Sequence, residues 1–547
     1  MKGISSMHHN LNDLSAQCVA PPAGLASEYR RLPHWQELSL GQMLQIQAER
    51  HGSRLALIDG ERRLSYRRLY EGVERLATAL WGRGLRPGQV AIVQLNNQAA
   101  FVELVFALFR LGVVPVMALP AHGEREIGQF VGLTDAVAWF HPQYALDSDN
   151  LAVVERIRIG SPSLRLVMAV APEESWHDIQ AGQGAASIPQ PSPDDIACFQ
   201  LSGGTTGIPK LIPRRHNDYL YNARASAQVS GLDVDSRHLA VLPMAHNFPM
   251  ASPGFIGTLS VGGCVVIARD PSPLDCFDLI EEHAVTHVSL VPTLVLLWLE
   301  AAQALDPALD SLRVLQVGGA SFAEDVARRV EPTFGCRLQQ VFGMAEGLLS
   351  FTGLDDTPHR ICTTQGRPLS PADEVLIVDA EDRSLPAGEK GHLLVRGPYT
   401  LRGYYGAPEH NRHAFRADGF YRTGDLARYD TEGYLTLCGR EKEQINRGGE
   451  KIAVDEVEGL LLSHPMIYDA AVVGLPDEFL GEKSCAFVIL RQPLEPRGIS
   501  DFLRQQGLAS FKWPDQYCFI DVFPATAVGK ISKRGLRERL REQYLTG

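Results

Sequence analysis

The chain has 547 residues, too many for a single hydrophobic core, so two or more domains are expected. Hydrophobic residues make up 45% and charged residues 21%, the balance of an ordinary soluble enzyme. The formal net charge is −12, and an acidic chain without a basic face is a poor partner for nucleic acid or an anionic membrane.

Residues 1–17 are polar and lack the apolar core of a signal peptide, which makes the cytoplasm the default location. Residues 55–58 read as a strand. Ser65 can cap a helix in which Leu69, Val73, Leu76 and Leu80 keep helical spacing. Residues 90–93 read as a strand, 101–111 as a helix and 113–116 as a strand again. The apolar run 101–120 is interrupted by Glu103, Arg110, Gly112 and Pro115, which predicts a buried helix followed by a strand, not a membrane span. Alternation of this kind implies an α/β fold with parallel strands.

Residues 172–195 are rich in Gly, Ser and Pro and read as a surface connection. Short apolar strands follow at 196–199, 239–242, 287–291 and 313–317. Past about Leu437 the texture changes. A charged crossing at 439–444 leads to helix signals at 454–462, strands at 470–474 and 484–490, and a last helix with Leu536, Leu540 and Tyr544 at i, i+4 spacing. The expected architecture is a large α/β region of several subdomains over residues 1–438, a hinge at 439–444, and a small α+β domain over 445–547. Nine cysteines are scattered with no Cys-x-x-Cys pair, which argues against disulfides and structural zinc.

The most informative segment is Leu-Ser-Gly-Gly-Thr-Thr-Gly-Ile-Pro-Lys at 201–210. Gly203, Gly204 and Gly207 let the backbone fold close around a ligand and expose its amides to phosphate oxygens. Ser202, Thr205 and Thr206 add hydroxyl donors, and Lys210 adds a positive charge. A Walker A loop needs four residues between its first glycine and Gly-Lys, whereas here Pro209 precedes the lysine. Taken alone, the decapeptide is equally a mobile glycine turn.

Its order and composition resemble the phosphate loop of the adenylate-forming enzymes, the family of acyl-CoA ligases, luciferases and peptide-synthetase adenylation domains. Four further segments match that family in the right order. Val317-Gly318-Gly319-Ala320 ends a strand, and the resemblance implies that Gly318, Gly319 and Ala320 line the adenine site. Residues 340–347 resemble the segment whose aromatic residue, here Phe342 between Val341 and Gly343, stacks on adenine and whose Glu346 holds Mg²⁺. The family commonly has Tyr and Thr where this chain has Phe342 and Ala345. Phenylalanine keeps the stacking face, while alanine removes a hydroxyl and with it any phosphate contact from that position. Residues 421–425 resemble the stretch whose aspartate, Asp425, takes the ribose hydroxyls, and a carboxylate suits a diol because it accepts two hydrogen bonds. Arg440 matches an arginine that contacts ribose or phosphate, and Lys442 matches the hinge position. In residues 524–533, Lys530 matches the lysine that bridges the acyl carboxylate and the α-phosphate. The family's small domain rotates between two half-reactions, which implies that the loop of Gly448, Gly449 and Lys451 replaces Lys530 in the second.

Residues 246–254 bear on the substrate. Amino-acid-activating relatives place an aspartate where this chain has Asn247, a neutral group that suits a hydroxyl. Phe248 offers a flat face to a ring, and His246 joins Lys530 as a catalytic candidate. The stretch is similar to the aryl-acid–AMP ligases of siderophore biosynthesis. Ser252 stands where a serine can bind a 3-hydroxyl, which favours 2,3-dihydroxybenzoate, although it could satisfy itself on backbone. Leu349 stands where a smaller valine would admit that hydroxyl, which favours salicylate. Steric exclusion acts however Ser252 turns, so the expectation is salicylate, ATP and Mg²⁺, with the aryl group passed to the phosphopantetheine thiol of an aryl carrier domain in a pyochelin-type nonribosomal pathway. The same residues would serve an aryl-CoA ligase. A non-catalytic nucleotide-binding scaffold is disfavoured because Lys530, Glu346 and Asp425 are all present.

Overall fold

The computed structural model describes residue 14, residues 17–143, 148–171, 176, 188–202, 209–447, 450–477, 479–526 and 529–546. Its frame is two large sheets that share one core. The first has nine strands, and the six in its middle all run parallel: Leu55–Asp59, Cys264–Ile267, Arg237–Ala240, His287–Leu290, Val314–Gly318 and Arg337–Met344. Strands buried on both faces are apolar or pair their polar groups: Cys264–Ile267 and Val314–Gly318 are buried at every residue, and the one polar side chain among them, Gln316, is hydrogen-bonded to Ser289, Ser230 and Gln339. Antiparallel strands close both edges.

The second sheet has six strands, again parallel except for the hairpin that pairs Ile196–Leu201 with Leu211–Arg215. Between the sheets lies the helix Ala99–Leu111, in which every residue but Arg110 is buried. Burial on all sides is what an all-round apolar helix requires, so the membrane-like run at 101–120 is core. Its one buried acid, Glu103, accepts from Arg62 at 2.8 Å. Ser65 caps Tyr66–Gly82 by accepting from the backbone of Arg68. Among the described residues no helix is long and apolar enough to cross a membrane.

A third, antiparallel sheet runs Glu374–Val378, Gly391–Arg396, Tyr421–Tyr429 and Leu435–Arg440, and a short turn at Glu441–Glu443 leaves its end. The fourth sheet takes all its strands from beyond that turn, and the helices Val454–Leu462 and Lys533–Thr546 pack on its long hairpin Ile467–Asp477/Gly481–Leu490. The last helix buries Leu536 and Leu540 there. This is the α/β architecture the alternation predicts, with a small α+β unit behind it. The connection at 172–195 departs from expectation at Trp176, which is buried in the main core and donates from its indole to the Ala100 carbonyl at 3.1 Å. All nine cysteines are free thiols.

Candidate active site

In an open parallel sheet ligands bind beyond the carboxyl ends of the strands, and the motif residues gather there. Val314–Gly318 ends at a pair of glycines that the surroundings demand. A Cβ on Gly318 would lie 2.6 Å from the Val341 carbonyl and 3.2 Å from the Phe248 ring, and Gly319, at φ +90°, would place one 2.8 Å from Lys530 Cε. Lys530 therefore reaches across to the strand end. Its loop is a tight turn in which Thr526 N donates to the Lys530 carbonyl at 2.6 Å and Gly529 takes φ +77°. Thr293, at the start of the helix Pro292–Leu305, donates to the Gly529 carbonyl at 2.9 Å and seats the loop. The resulting small cavity is lined by Leu242, Pro243, His246, Phe248, Val291, Gly319 and Lys530.

Burial and the charge of Arg440 push the Lys530 ammonium down to about 8. Burial and the neighbouring Lys530 push His246 down to about 3, so its ring is neutral at any ordinary pH. His246 caps the short helix Asn247–Ala251, its Nδ1 accepting from the Phe248 backbone at 3.4 Å. The substrate segment therefore begins as a helical turn.

A second group of polar residues stands on the third sheet and the strand pair Arg337–Met344/Gly347–Phe351. Tyr404 donates to Glu346 Oε1 at 2.8 Å, and its oxygen lies 2.9 Å from the Tyr421 hydroxyl. The Lys210 ammonium sits 5.6 Å from the centre of the Tyr404 ring. Arg440 Nε donates to Asp425 Oδ1 at 3.0 Å, across adjacent strands that pair these two residues directly. Burial raises the carboxyls of Glu346 and Asp425, opposed by the Tyr404 hydrogen bond and by Arg440 respectively. Asp425 is a strand residue inside Tyr421–Tyr429, not a turn aspartate.

The third group faces the Phe248 ring. Phe248, Val341 and Leu349 belong to one apolar cluster with Tyr221, Leu242, Val291, Phe351 and Tyr399. Leu349 lies over Gly343, where a Cβ would stand 2.2 Å from Leu349 Cδ2. Asn247 is buried and its Oδ1 accepts from Tyr219 at 2.9 Å. Ser252 is fully buried, and its Oγ has no hydrogen-bond partner among the described residues. It does not satisfy itself on backbone, and a buried hydroxyl without a partner is a cost a ligand could relieve.

Ser202 and Lys210 are held together at the mouth of the glycine loop, Ser202 N donating to the Lys210 carbonyl at 3.0 Å and Lys210 N to Ser202 Oγ at 2.9 Å. Gly203, Gly204, Thr205 and Thr206 lie outside the described residues, as do Gly448 and Gly449. Ala320 is exposed just past the strand, and Phe342 is half-buried on Arg337–Met344. Lys442 is in the turn Glu441–Glu443, and Lys451 pairs by backbone with Asn446 in the fourth sheet. Tyr404, Tyr219 and Thr293 were not singled out from the sequence; their partners lie 58, 28 and 236 residues away in the chain, and no local spacing marks them.

Comparison with known proteins gives the family. The profile of the AMP-binding enzyme family matches residues 44–405, and that of the AMP-binding enzyme C-terminal domain matches residues 456–530. The chain belongs to this family and is an adenylate-forming ligase. More narrowly it falls with the aryl-acid–AMP ligases of siderophore biosynthesis. Pyochelin synthase PchD of Pseudomonas aeruginosa is 50% identical over 527 residues, which are 95% of this chain and 96% of that protein. The 2,3-dihydroxybenzoate-AMP ligase of Bacillus subtilis is 46% identical, over 96% of this chain and 98% of that protein. The apo structure of MbtA from Mycobacterium smegmatis superposes with a TM-score of 0.74 at 41% identity, covering 96% of this chain and 99% of that one.

Proposed function

We propose that the chain uses ATP to convert salicylate to salicyl-AMP and then passes the salicyl group to the phosphopantetheine thiol of an aryl carrier domain. The observation that carries the choice of acid is Leu349, which is 2% exposed and wedged over Gly343 in the cluster around Phe248. That side chain occupies the volume a 3-hydroxyl would need. PchD, the 50% identical relative, is a pyochelin synthase, which accords with this reading. A second reading, 2,3-dihydroxybenzoate, is favoured by the unpartnered Ser252 Oγ and by the Bacillus relative.

In the first half-reaction a carboxylate oxygen bonds to the α-phosphorus as the bond to pyrophosphate breaks. Negative charge builds on the phosphoryl oxygens, so fixed cations and donors lower the barrier. Lys530 is the ammonium assigned to that charge, with Lys210 at the mouth of the glycine loop as a second. Asp425, oriented by Arg440, is assigned to the ribose hydroxyls. Gly318, Gly319 and Ala320 give a flat base room to approach backbone, and Phe342 offers it a face. His246, neutral beside Lys530, can donate through Nε2 but carries no charge.

The donor set around Glu346 fits Mg²⁺: a single carboxylate with one oxygen already pinned by Tyr404, near the residues assigned to phosphate, suits an ion that keeps waters and substrate phosphates as its other ligands. Among the described residues no three acidic, His or Cys side chains form a cage of their own. When bound there, the ion would neutralise charge on the polyphosphate. In the second half-reaction the thiol sulfur attacks the acyl carbon and AMP leaves, with 439–444 as the hinge between the unit of residues 1–438 and that of 445–547, and Gly448, Gly449 and Lys451 presented in place of Lys530. Pyrophosphate exchange over a panel of benzoic acids tests the acid. A preference for 2,3-dihydroxybenzoate over salicylate overturns the first reading. Transfer to a pantetheinylated carrier domain, compared with free coenzyme A, tests the acceptor.

A further inference from the structure

The amide of Asn247 has a fixed direction, set by residues behind the site. Gln200, on the strand Ile196–Leu201, places its Nε2 3.0 Å from Met250 Sδ and 3.1 Å from the Tyr219 hydroxyl. A thioether sulfur has no proton and can only accept, so the Gln200 atom facing it is the nitrogen and not the oxygen. The Tyr219 oxygen therefore accepts from Gln200, and its single proton goes to Asn247 Oδ1 at 2.9 Å. With Oδ1 turned to Tyr219, Asn247 offers a ligand its Nδ2, which only donates. Gln200, Tyr219, Met250 and Asn247 are all buried, so solvent does not scramble the order of donors. The Arg214 guanidinium lies 4.8 Å from the centre of the Tyr219 ring and pairs with Asp218, which holds the ring in place.

We infer that Gln200 and Tyr219 are positioning residues that fix the ortho-substituent preference of the aryl-acid site, making it accept a ring with a hydrogen-bond acceptor beside the carboxylate and reject one with a donor. This rests on the reading that Asn247 lines that site. Salicylate meets the requirement because its hydroxyl proton turns to its own carboxylate and leaves oxygen lone pairs for Asn247. Anthranilate does not. Its nitrogen lone pair is delocalised into the ring, and while one N–H turns to the carboxylate the other points at Asn247 Nδ2, donor against donor.

The test compares kcat/KM for salicylate and anthranilate by pyrophosphate exchange in the parent enzyme and in Tyr219→Phe, Gln200→Leu and Asn247→Ala. Tyr219→Phe keeps the ring and removes the one atom that orders the amide, so Asn247 can turn its oxygen to the ligand. The salicylate-to-anthranilate ratio is expected to fall roughly tenfold, the worth of about one hydrogen bond, with anthranilate turnover rising and the KM for ATP unchanged. Gln200→Leu should shift the ratio the same way, and supplies the measurement should Tyr219→Phe fold poorly. A merely structural role would lower both acids together and leave the ratio as it was, which overturns the relay. The relay also fails if the parent enzyme uses both acids equally well, or if Asn247→Ala collapses the ratio while the other two variants keep it. If Asn247→Ala itself leaves the ratio untouched, Asn247 does not line the site and the reading underneath has failed instead.

Discussion

Lys530 packs its side chain against the backbone of Gly319, so closely that a Cβ there would stand 2.8 Å from Cε and 3.1 Å from Nζ. The contact joins the turn before the last helix to the end of a central strand, and it puts the ammonium beside His246. Lys530→Ala is expected to lower aryl-acid-dependent pyrophosphate exchange by at least about 10²-fold, the usual effect of removing one preorganised charge stabiliser. Thioester formation from supplied aryl-AMP should stay near the parent rate if the ammonium serves the first half-reaction, as proposed. Gly319→Ala should reproduce that selective loss, since the new methyl group collides with the lysine and sits at an unfavourable φ of +90°. Equal loss in both half-reactions would remove the assignment of Lys530 to adenylation.

The same burial gives adenylation a basic limb. Lys530 is held at about 8 by burial and by Arg440, so in the free enzyme it loses its proton as pH rises through that value. Since kcat/KM reports the free enzyme, its value for ATP in pyrophosphate exchange should fall above about pH 8. Arg440→Gln removes a neighbouring positive charge and should move the fall upward, whatever it does to the maximum rate. His246, at about 3, is neutral throughout and should contribute no acidic limb above pH 5 or so. A flat profile across pH 7–9.5 or so would mean that Lys530 is not charged in a way that matters to this step.

Much of the fold is legible in the sequence. Elements with strong periodicity and a clear cap, such as Tyr66–Gly82 behind Ser65, were readable because the signals are local. Boundaries were not: residues 239–242 read as a strand, yet the ladder spans Arg237–Ala240, because Val241 and Leu242 are buried by cluster packing and not by sheet pairing. Asp469 and Lys483 hid the full length of Ile467–Asp477/Gly481–Leu490, since polar residues on one face of a hairpin look like loop. At the site, motif order singled out Glu346, Asp425 and Lys530 as candidates, but Tyr404 meets Glu346 across 58 residues and Tyr219 meets Asn247 across 28. Contacts at that separation leave no spacing to read. Nor could Trp176 announce its place in the core from within a polar run.

The hinge can be tested without touching either substrate. Lys442 is at the centre of the turn Glu441–Glu443, and beyond it Lys533 ties Glu443 at 3.5 Å to Glu458 at 2.9 Å on the helix Val454–Leu462. Proline at 442 fixes φ near −65° and removes the freedom a rotation would use. Lys442→Pro is expected to leave pyrophosphate exchange close to the parent level and to slow transfer to the carrier thiol by about tenfold or more, as a lost conformational step does when it limits turnover. Single-turnover transfer from preformed aryl-AMP is the measurement. An unchanged transfer rate would place the hinge elsewhere in 439–444 or beyond it.

Leu349 and Ser252 give opposite signs for the acid, and their coupling is what separates them. Leu349 is wedged over Gly343 beside the Phe248 cluster, while Ser252 Oγ is buried with no partner among the described residues. Leu349→Val removes one methylene, a loss of about 0.8 kcal/mol of burial, and opens room for a hydroxyl at the ring's 3-position. That hydroxyl would give Ser252 its missing partner, a gain of about 0.5–1.5 kcal/mol. The ratio of kcat/KM for 2,3-dihydroxybenzoate to that for salicylate should therefore rise roughly tenfold in Leu349→Val. Leu349→Val combined with Ser252→Ala should lose most of the rise, because residues sharing one ligand group are not additive. If the ratio rises equally with and without Ser252, Leu349 acts by volume alone and the orphan hydroxyl faces away from the ring. If Leu349→Val leaves the ratio where it was, Leu349 does not bound the 3-position, and the case for salicylate loses its physical basis.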